Sequence, residues 1–237
     1  MTSTNDLHKN YTNRERFLVA VDCIIFGFDL EQEQLKLLLF KRKVQPLKGQ
    51  WSLIGSFIKK DMTLEESAKQ VLLESTGLDN IFLEELKTYS NVNRDPGERV
   101  ISVGYSSLIR LNELHNHNVK AYDAKWFGLD EIPELILDHK TMVNDAIDRL
   151  KARLLRRPIG FNLLDEKFTL PQIQTLYESI YQKKLDNRNF RKKLLSFNIL
   201  TKTEEKDKTN SKRGAFLYTF NKEKFDEFVA KGYHFEL

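Results

Sequence analysis

Cysteine is nearly missing from this chain. Cys23 is its single cysteine, so no internal disulfide can form, which fits a reducing compartment. It stands inside the apolar run FLVAVDCIIF. A reactive thiol needs an activating partner, so Cys23 is expected to be a buried core residue. No apolar run approaches the roughly 20 residues that span a membrane. The start, MTSTNDLHKN, shows no charged-then-apolar export pattern. A cytoplasmic protein with no membrane contact is therefore expected. Internal repeats and low-complexity segments are also missing.

What remains is ordinary globular material. The 237 residues are 41% hydrophobic and 30% charged, enough for one large domain or two small ones. The net charge of +4 is unevenly placed. Residues 1–159 are neutral overall. The stretch Lys183–Arg213 alone holds 11 basic against 4 acidic residues, a net of +7. A polyanionic partner for the last third of the chain follows from that asymmetry.

Two parts are expected, 1–157 and 158–237. In the first, RFLVAVDCIIFGFD and LKLLLFKRK read as neighbouring strands across the polar turn LEQEQ, and GQWSLIGSF as a short extended segment. A helix follows. Thr63 caps it, Glu66 completes a capping box, and Leu64, Ala68, Val71 and Leu72 share one face. Gly77 suits the left-handed stop. IFLEELKTYS, ERVISVGYSSLIRL and AKWFGL are further strands. Residues Lys140–Arg157 form a long amphipathic helix that Pro158 ends. Mixed strands with helices on opposite sides predict a three-layer α/β/α sandwich.

The second part holds a helix in TLPQIQTLYESIYQKK, capped by Thr169, and another in DNRNFRKKLLSF, capped by Asp186. Phe190, Leu194 and Phe197 form the inner stripe of the second helix. Arg188, Asn189, Arg191 and Lys192 lie opposite. ILTKT and GAFLYTF then read as two strands joined by the charged tip EEKDKTNSKR. Helix, basic helix and hairpin give the order of a winged helix-turn-helix.

The stretch from Gly55 to Leu78, GSFIKKDMTLEESAKQVLLESTGL, resembles the Nudix box of pyrophosphohydrolases, G-x5-E-x7-R-E-U-x-E-E-x-G-U. Aligned on Gly77 and Leu78, the box glycine falls on Ser56, the first glutamate on Met62 and the arginine on Gln70. The next glutamate falls on Val71, and the final pair on Glu74 and Ser75. In the enzymes this helix face gathers magnesium. Glu74 alone reads as an ordinary helix carboxylate. No catalytic residue, no metal ligand, no cofactor and no enzymatic activity are therefore expected. Over roughly residues 12 to 235 the chain resembles the Nudix-related transcriptional regulators. The segments GFNLLDEKFTLPQIQTLYESIYQKKLDNRNFRKKLL, RDPGERVISVGYSSLI and IPELILDH carry the resemblance. It implies a Nudix-like α/β/α sandwich followed by a winged helix-turn-helix. It also implies double-stranded operator DNA as partner, with the Nudix-like domain as a sensor that keeps a pocket and loses turnover; a homodimer is expected because one recognition helix reads only a few base pairs and two copies read two half-sites.

For the DNA contact, Arg188, Asn189, Arg191 and Lys192 are candidates on the basic helix, since arginine and asparagine pair with base edges. Lys193, Lys202, Lys212 and Arg213 read as phosphate or minor-groove contacts. For the effector, Asn91, Asp95, Glu98 and Arg99 of the loop NVNRDPGER are candidates to bond hydroxyls. Lys43, Gln45 and Lys59 approach the same place in the Nudix arrangement. Each of these also fits a plainer role as turn residue, surface ion pair or solvated lysine. Asp138 and His139 read as caps of the following helix, Trp51 and Trp126 as core. The lost carboxylates and the resemblance to an arabinose-responsive branch point to L-arabinose as the effector that releases DNA. An ADP-ribose-responsive regulator of NAD metabolism and an active pyrophosphohydrolase are the alternatives, with an RNA-binding or scaffold protein as a third.

Overall fold

The structure is a computed structural model, described here for residues 13–112, 115, 119–154, 160–209 and 213–232. Strand β1 (Leu18–Asp29) is its spine. One edge of β1 pairs in parallel with β6 (Val100–Arg110) along its whole length. The other edge is shared. Residues 20–23 pair with β4 (Ile54–Phe57) and residues 26–29 with β2 (Gln34–Lys41), both antiparallel. Strands β3 (Trp51–Ser52) and β7 (Ala124–Gly128) pair with β2, and β5 (Glu84–Tyr89) pairs with β6, completing a seven-stranded mixed sheet.

The alternation along β1 explains the layers. Val21, Cys23 and Ile25 point to one face, where they meet Ala68, Val71 and Leu72 of helix α1 (Leu64–Thr76). Ile24, Phe26 and Phe28 point to the other, against Met142, Val143, Ala146 and Ile147 of helix α2 (His139–Leu154). The α/β/α sandwich predicted from the sequence is thus present. Cys23 is buried in it, with burial raising its thiol pKa. Thr63 and Glu66 form the expected capping box, and Gly77 ends α1 at φ 68°. Helix α2 begins one residue before its predicted start. Its predicted end, Pro158 and the expected domain boundary lie outside the described residues.

The C-terminal part follows from β8 (Phe168–Thr169). Helix α3 (Leu170–Tyr181) opens with a capping box between Thr169 and Gln172. Asp186 caps helix α4 (Asn187–Ser196) through the Asn189 amide. Strands β9 (Leu200–Asp207) and β10 (Ala215–Phe220) form the wing, with β8 beside β10. Two details differ from expectation. Glu204–Asp207, read as loop tip, extend β9 because β10 supplies paired backbone partners out to Asp207. A helix not expected, α5 (Lys222–Ala230), closes the chain's described end, capped by Asn221. Helix α3 packs against β2 and α2. Its Ile173, Leu176 and Ile180 share one apolar cluster with Phe190 and Leu194 of α4 and with the α2 face of the sheet.

Candidate functional site: a polar pocket and a basic helix

Asp22 breaks the apolar pattern of β1. It faces the α2 side where that helix begins, and it is buried. Three other elements bring polar groups to it. Ser102 of β6 donates its hydroxyl to Asp22 Oδ2 at 2.6 Å. Arg94, from the loop after β5, places Nη2 at 3.6 Å from the same oxygen. That guanidinium also grips Asp138 with two hydrogen bonds, at 2.7 and 3.0 Å. His139, the first residue of α2, sets Nε2 at 3.6 Å from Asp22 Oδ1. Its Nδ1 accepts the Leu53 amide at 3.1 Å. Burial lowers the His139 pKa; Asp22 and Asp138 oppose the shift, and Arg94 and Arg42 add to it. The ring is thus held neutral. Gly55 lies opposite Asp22 in the register of β4 on β1. A methyl group there would come within 2.2 Å of Asp22 Oδ1. Only a residue without Cβ lets the carboxylate sit flat against the sheet.

A cavity of about 250 Å³ opens over this cluster. Asp22, Ser52, Gly55, Arg94 and His139 line its polar side, and Val44, Phe57 and Val100 its apolar side. Of the seven residues expected to bind effector, the structure brings only Asp95 into the lining. Asp95 also turns the chain, its Oδ1 accepting the Gly97 amide at 2.8 Å. Asn91 does the same for Asn93 at 2.9 Å and lines a neighbouring depression with Lys87. Arg99 donates to the Asn91 carbonyl at 3.1 Å and covers the Phe17 ring. The Arg99 amide donates to Glu98 Oε1 at 3.4 Å. Lys43 is exposed and paired with Asp123 at 3.6 Å. Gln45 and Lys59 are exposed. Asp138 is corrected from its expected capping role: both its carboxylate oxygens receive Arg94. Asp22, Arg94, Ser102 and His139 went unrecognised as a site, and the one signal available was a charged residue inside the apolar run of β1.

The helix that carries metal ligands in pyrophosphohydrolases offers no such donor set here. Val71 is buried among Ala68 and Leu72. Glu65 pairs with Lys69, Glu66 serves the capping box, and Glu74 accepts from Gln70 at 2.5 Å. A hard cation needs several oxygens converging on one point, and these carboxylates point to separate neighbours. Among the described residues no group of three or more His, Cys, Asp or Glu gathers at metal-binding spacing.

Helix α4 presents Arg188, Asn189, Lys192 and Lys193 on its exposed side. An open groove of about 580 Å³ runs beside Asn189, Lys192 and Lys193. Arg191 is half-buried, and its Nε has no hydrogen-bond partner among the described residues. Lys202 stands 3.5 Å over the Phe216 ring of the wing, joined by Lys206 at 4.4 Å. Arg213 is exposed at the wing turn, and Lys212 lies outside the described residues.

Known proteins share both halves. Residues 16–146 match the NUDIX domain model, and residues 160–220 match the NrtR DNA-binding winged helix domain. The chain belongs to the Nudix family, in the form that carries an NrtR winged helix. The ADPR responsive transcriptional repressor NtrR of Acinetobacter baylyi is 31% identical over 213 residues, covering 88% of this chain and 84% of that one. An ADP-ribose pyrophosphatase of Methanocaldococcus jannaschii is 35% identical over 127 residues, covering 54% of this chain and 71% of that one. The crystal structure of Shewanella oneidensis NrtR complexed with a 27mer DNA superposes with a TM-score of 0.70 at 28% identity, covering 92% of this chain and 97% of that chain. The NUDIX domain of the same S. oneidensis protein, complexed with ADP ribose, gives 0.52 at 28% identity over 63% of this chain and 99% of that one.

Proposed function

We propose that this protein is an ADP-ribose-responsive transcriptional repressor that binds operator DNA as a homodimer and does not hydrolyse its effector. The carrying observation is the joint likeness, across both halves, to an ADPR responsive repressor covering 88% of the chain. The pocket over Asp22 is the effector site in this reading, with Asp95 at its rim. Helix α4 is the recognition helix. Arg188 and Asn189 read base edges, Arg191 and Lys192 support them, and Lys193, Lys202, Lys212 and Arg213 hold phosphates. Two copies place two such helices on half-sites about one or more turns apart. The domain division at 157/158 and a cytoplasmic location belong to the same reading.

L-arabinose, expected from the sequence, gains no support from these relatives, and ADP-ribose replaces it. A pyrophosphatase is the competing reading, favoured by the likeness to the M. jannaschii enzyme. The packing of Val71 in the core and the separate engagement of Glu65, Glu66 and Glu74 speak against it.

The test starts from duplex DNA selected on the purified protein out of a random pool. Fluorescence anisotropy then follows the selected duplex, with and without ADP-ribose. The proposal expects tight duplex binding that ADP-ribose weakens, together with no magnesium-dependent release of phosphatase-sensitive product from ADP-ribose. Turnover that disappears in Glu74→Gln would restore the enzyme reading. A preference for RNA over duplex DNA would remove the repressor.

A further inference from the structure

We propose that Asp22 Oδ1 and His139 Nε2 form a hydroxyl-recognition pair at the floor of the pocket, and that a ribose hydroxyl of the effector fills it. This rests on the effector reading above and adds which chemical group is read and by which atoms.

The assignment begins with the tautomer. The Leu53 amide points at His139 Nδ1. A backbone N–H can only donate, so Nδ1 is the acceptor, and the neutral ring carries its hydrogen on Nε2. That hydrogen faces Asp22 Oδ1, but the 3.6 Å separation is too long for a hydrogen bond. Asp22 has committed its other oxygen, Oδ2, to Ser102. A donor and an acceptor thus stand side by side without hydrogen-bonding partners among the described residues. Their side chains are only 4% and 9% exposed, and both line the pocket. Both therefore face a space where a single polar group of a ligand can reach them together.

The pair selects its ligand by chemistry. A hydroxyl donates to Oδ1 and accepts from Nε2–H at once. A phosphate offers acceptors only and would set an anion beside the Asp22 carboxylate. An ammonium satisfies Asp22 but offers nothing to His139. Gly55 keeps the floor open, since any side chain there would displace Oδ1. The diphosphate of the effector therefore lies away from the floor. ADP-ribose has two riboses, and either supplies the required hydroxyl.

The test is a cycle of ligands against variants, read by calorimetry on the full chain. The ligands are ADP-ribose, ADP and ADP-ribose analogues that each lack one ribose hydroxyl. In the unmodified protein one analogue should bind about tenfold to hundredfold more weakly than ADP-ribose, the range of a hydrogen bond to a charged group. In Asp22→Asn and His139→Gln that discrimination should shrink to within about threefold. A cooperative thermal transition in each variant reports an intact fold. If the sensitive hydroxyl belongs to the adenosine, ADP affinity falls with that of ADP-ribose in the variants. If it belongs to the terminal ribose, ADP affinity holds. Equal binding of every analogue by the unmodified protein overturns the pair and leaves the effector reading standing, and this arm needs no variant to fold. Failure of the unmodified protein to bind ADP-ribose overturns the effector reading itself, and the pair with it.

Discussion

Arg94 and Asp138 are joined by two parallel hydrogen bonds, Nη2 to Oδ1 at 2.7 Å and Nε to Oδ2 at 3.0 Å. The bond ties the loop after β5 to the start of α2, and α2 packs on α3 of the winged part. The Arg94 side chain is 2% exposed and lies beside Asp22 as well. Losing the guanidinium leaves the buried Asp22 carboxylate and the partly exposed Asp138 carboxylate without their shared cation, a change that costs up to about 3–5 kcal/mol. Arg94→Ala is therefore expected to lower the thermal midpoint by roughly 6 °C or more. Arg94→Lys should recover only part of this, because an ammonium cannot reproduce the fork. A midpoint unchanged in Arg94→Ala contradicts the role.

His139 predicts a pH dependence of stability. Desolvation lowers its folded pKa from the ordinary value, even against the pull of Asp22 and Asp138. The unfolded chain then binds a proton below about pH 6.5 that the folded chain refuses. Stability from this group is complete above that pH and falls as pH drops toward the folded value. Urea midpoints between pH 7.5 and 5.5 should decline, and the decline should be shallower in His139→Gln. Equal slopes for the two proteins would show that His139 titrates the same way folded and unfolded.

Helix α4, proposed as the recognition helix, carries its own signature. Arg188→Ala should weaken operator binding by about 1–3 kcal/mol and change the preferred sequence, as loss of a base contact does. Arg191→Ala should also weaken it while leaving ADP-ribose affinity alone. Lys202→Ala should weaken all duplexes alike and reduce the salt slope by about one unit. Selection from random duplexes, repeated with each variant, separates the two classes. Unchanged affinity in all three removes α4 and the wing from the interface.

Much of this was legible in the sequence because it is local. The capping box at Thr63 and the cap at Thr169 join residues three positions apart, and the alternation of Ile24, Phe26 and Phe28 needs no distant partner. The basic face of α4 stood out by charge alone. The pocket did not, because its bonds join residues far apart: Arg94 to Asp138 across 44 positions, Ser102 to Asp22 across 80, Leu53 to His139 across 86. The candidate loop residues Asn91, Asp95 and Glu98 are polar mainly because the loop turns on their side chains. Arg94, between them, is the residue whose side chain reaches the pocket floor. The end of β9 was hidden for a different reason: Glu204–Asp207 look like a solvated tip until β10 pairs with them.

Gly55 tests the geometry of the floor. A methyl group there meets Asp22 Oδ1 at 2.2 Å and the Val21 carbonyl at 2.6 Å. Gly55→Ala should destabilise by about 1–3 kcal/mol, the usual cost of overpacking. It should also abolish ADP-ribose binding measured below its lowered thermal midpoint. Full ligand affinity in a folded Gly55→Ala protein contradicts the placement of the pocket.

In the proposed function one ligand in the Nudix domain sets DNA affinity through the winged helix. A ligand shifts that affinity only by its preference for one of two forms, and a tenfold change corresponds to about 1.4 kcal/mol of coupling. Operator affinity measured with saturating ADP-ribose, beside saturating L-arabinose, tests this most directly. Saturating ADP-ribose should lower operator affinity at least tenfold, and L-arabinose should leave it unchanged. Equal operator affinity with and without ADP-ribose would contradict it.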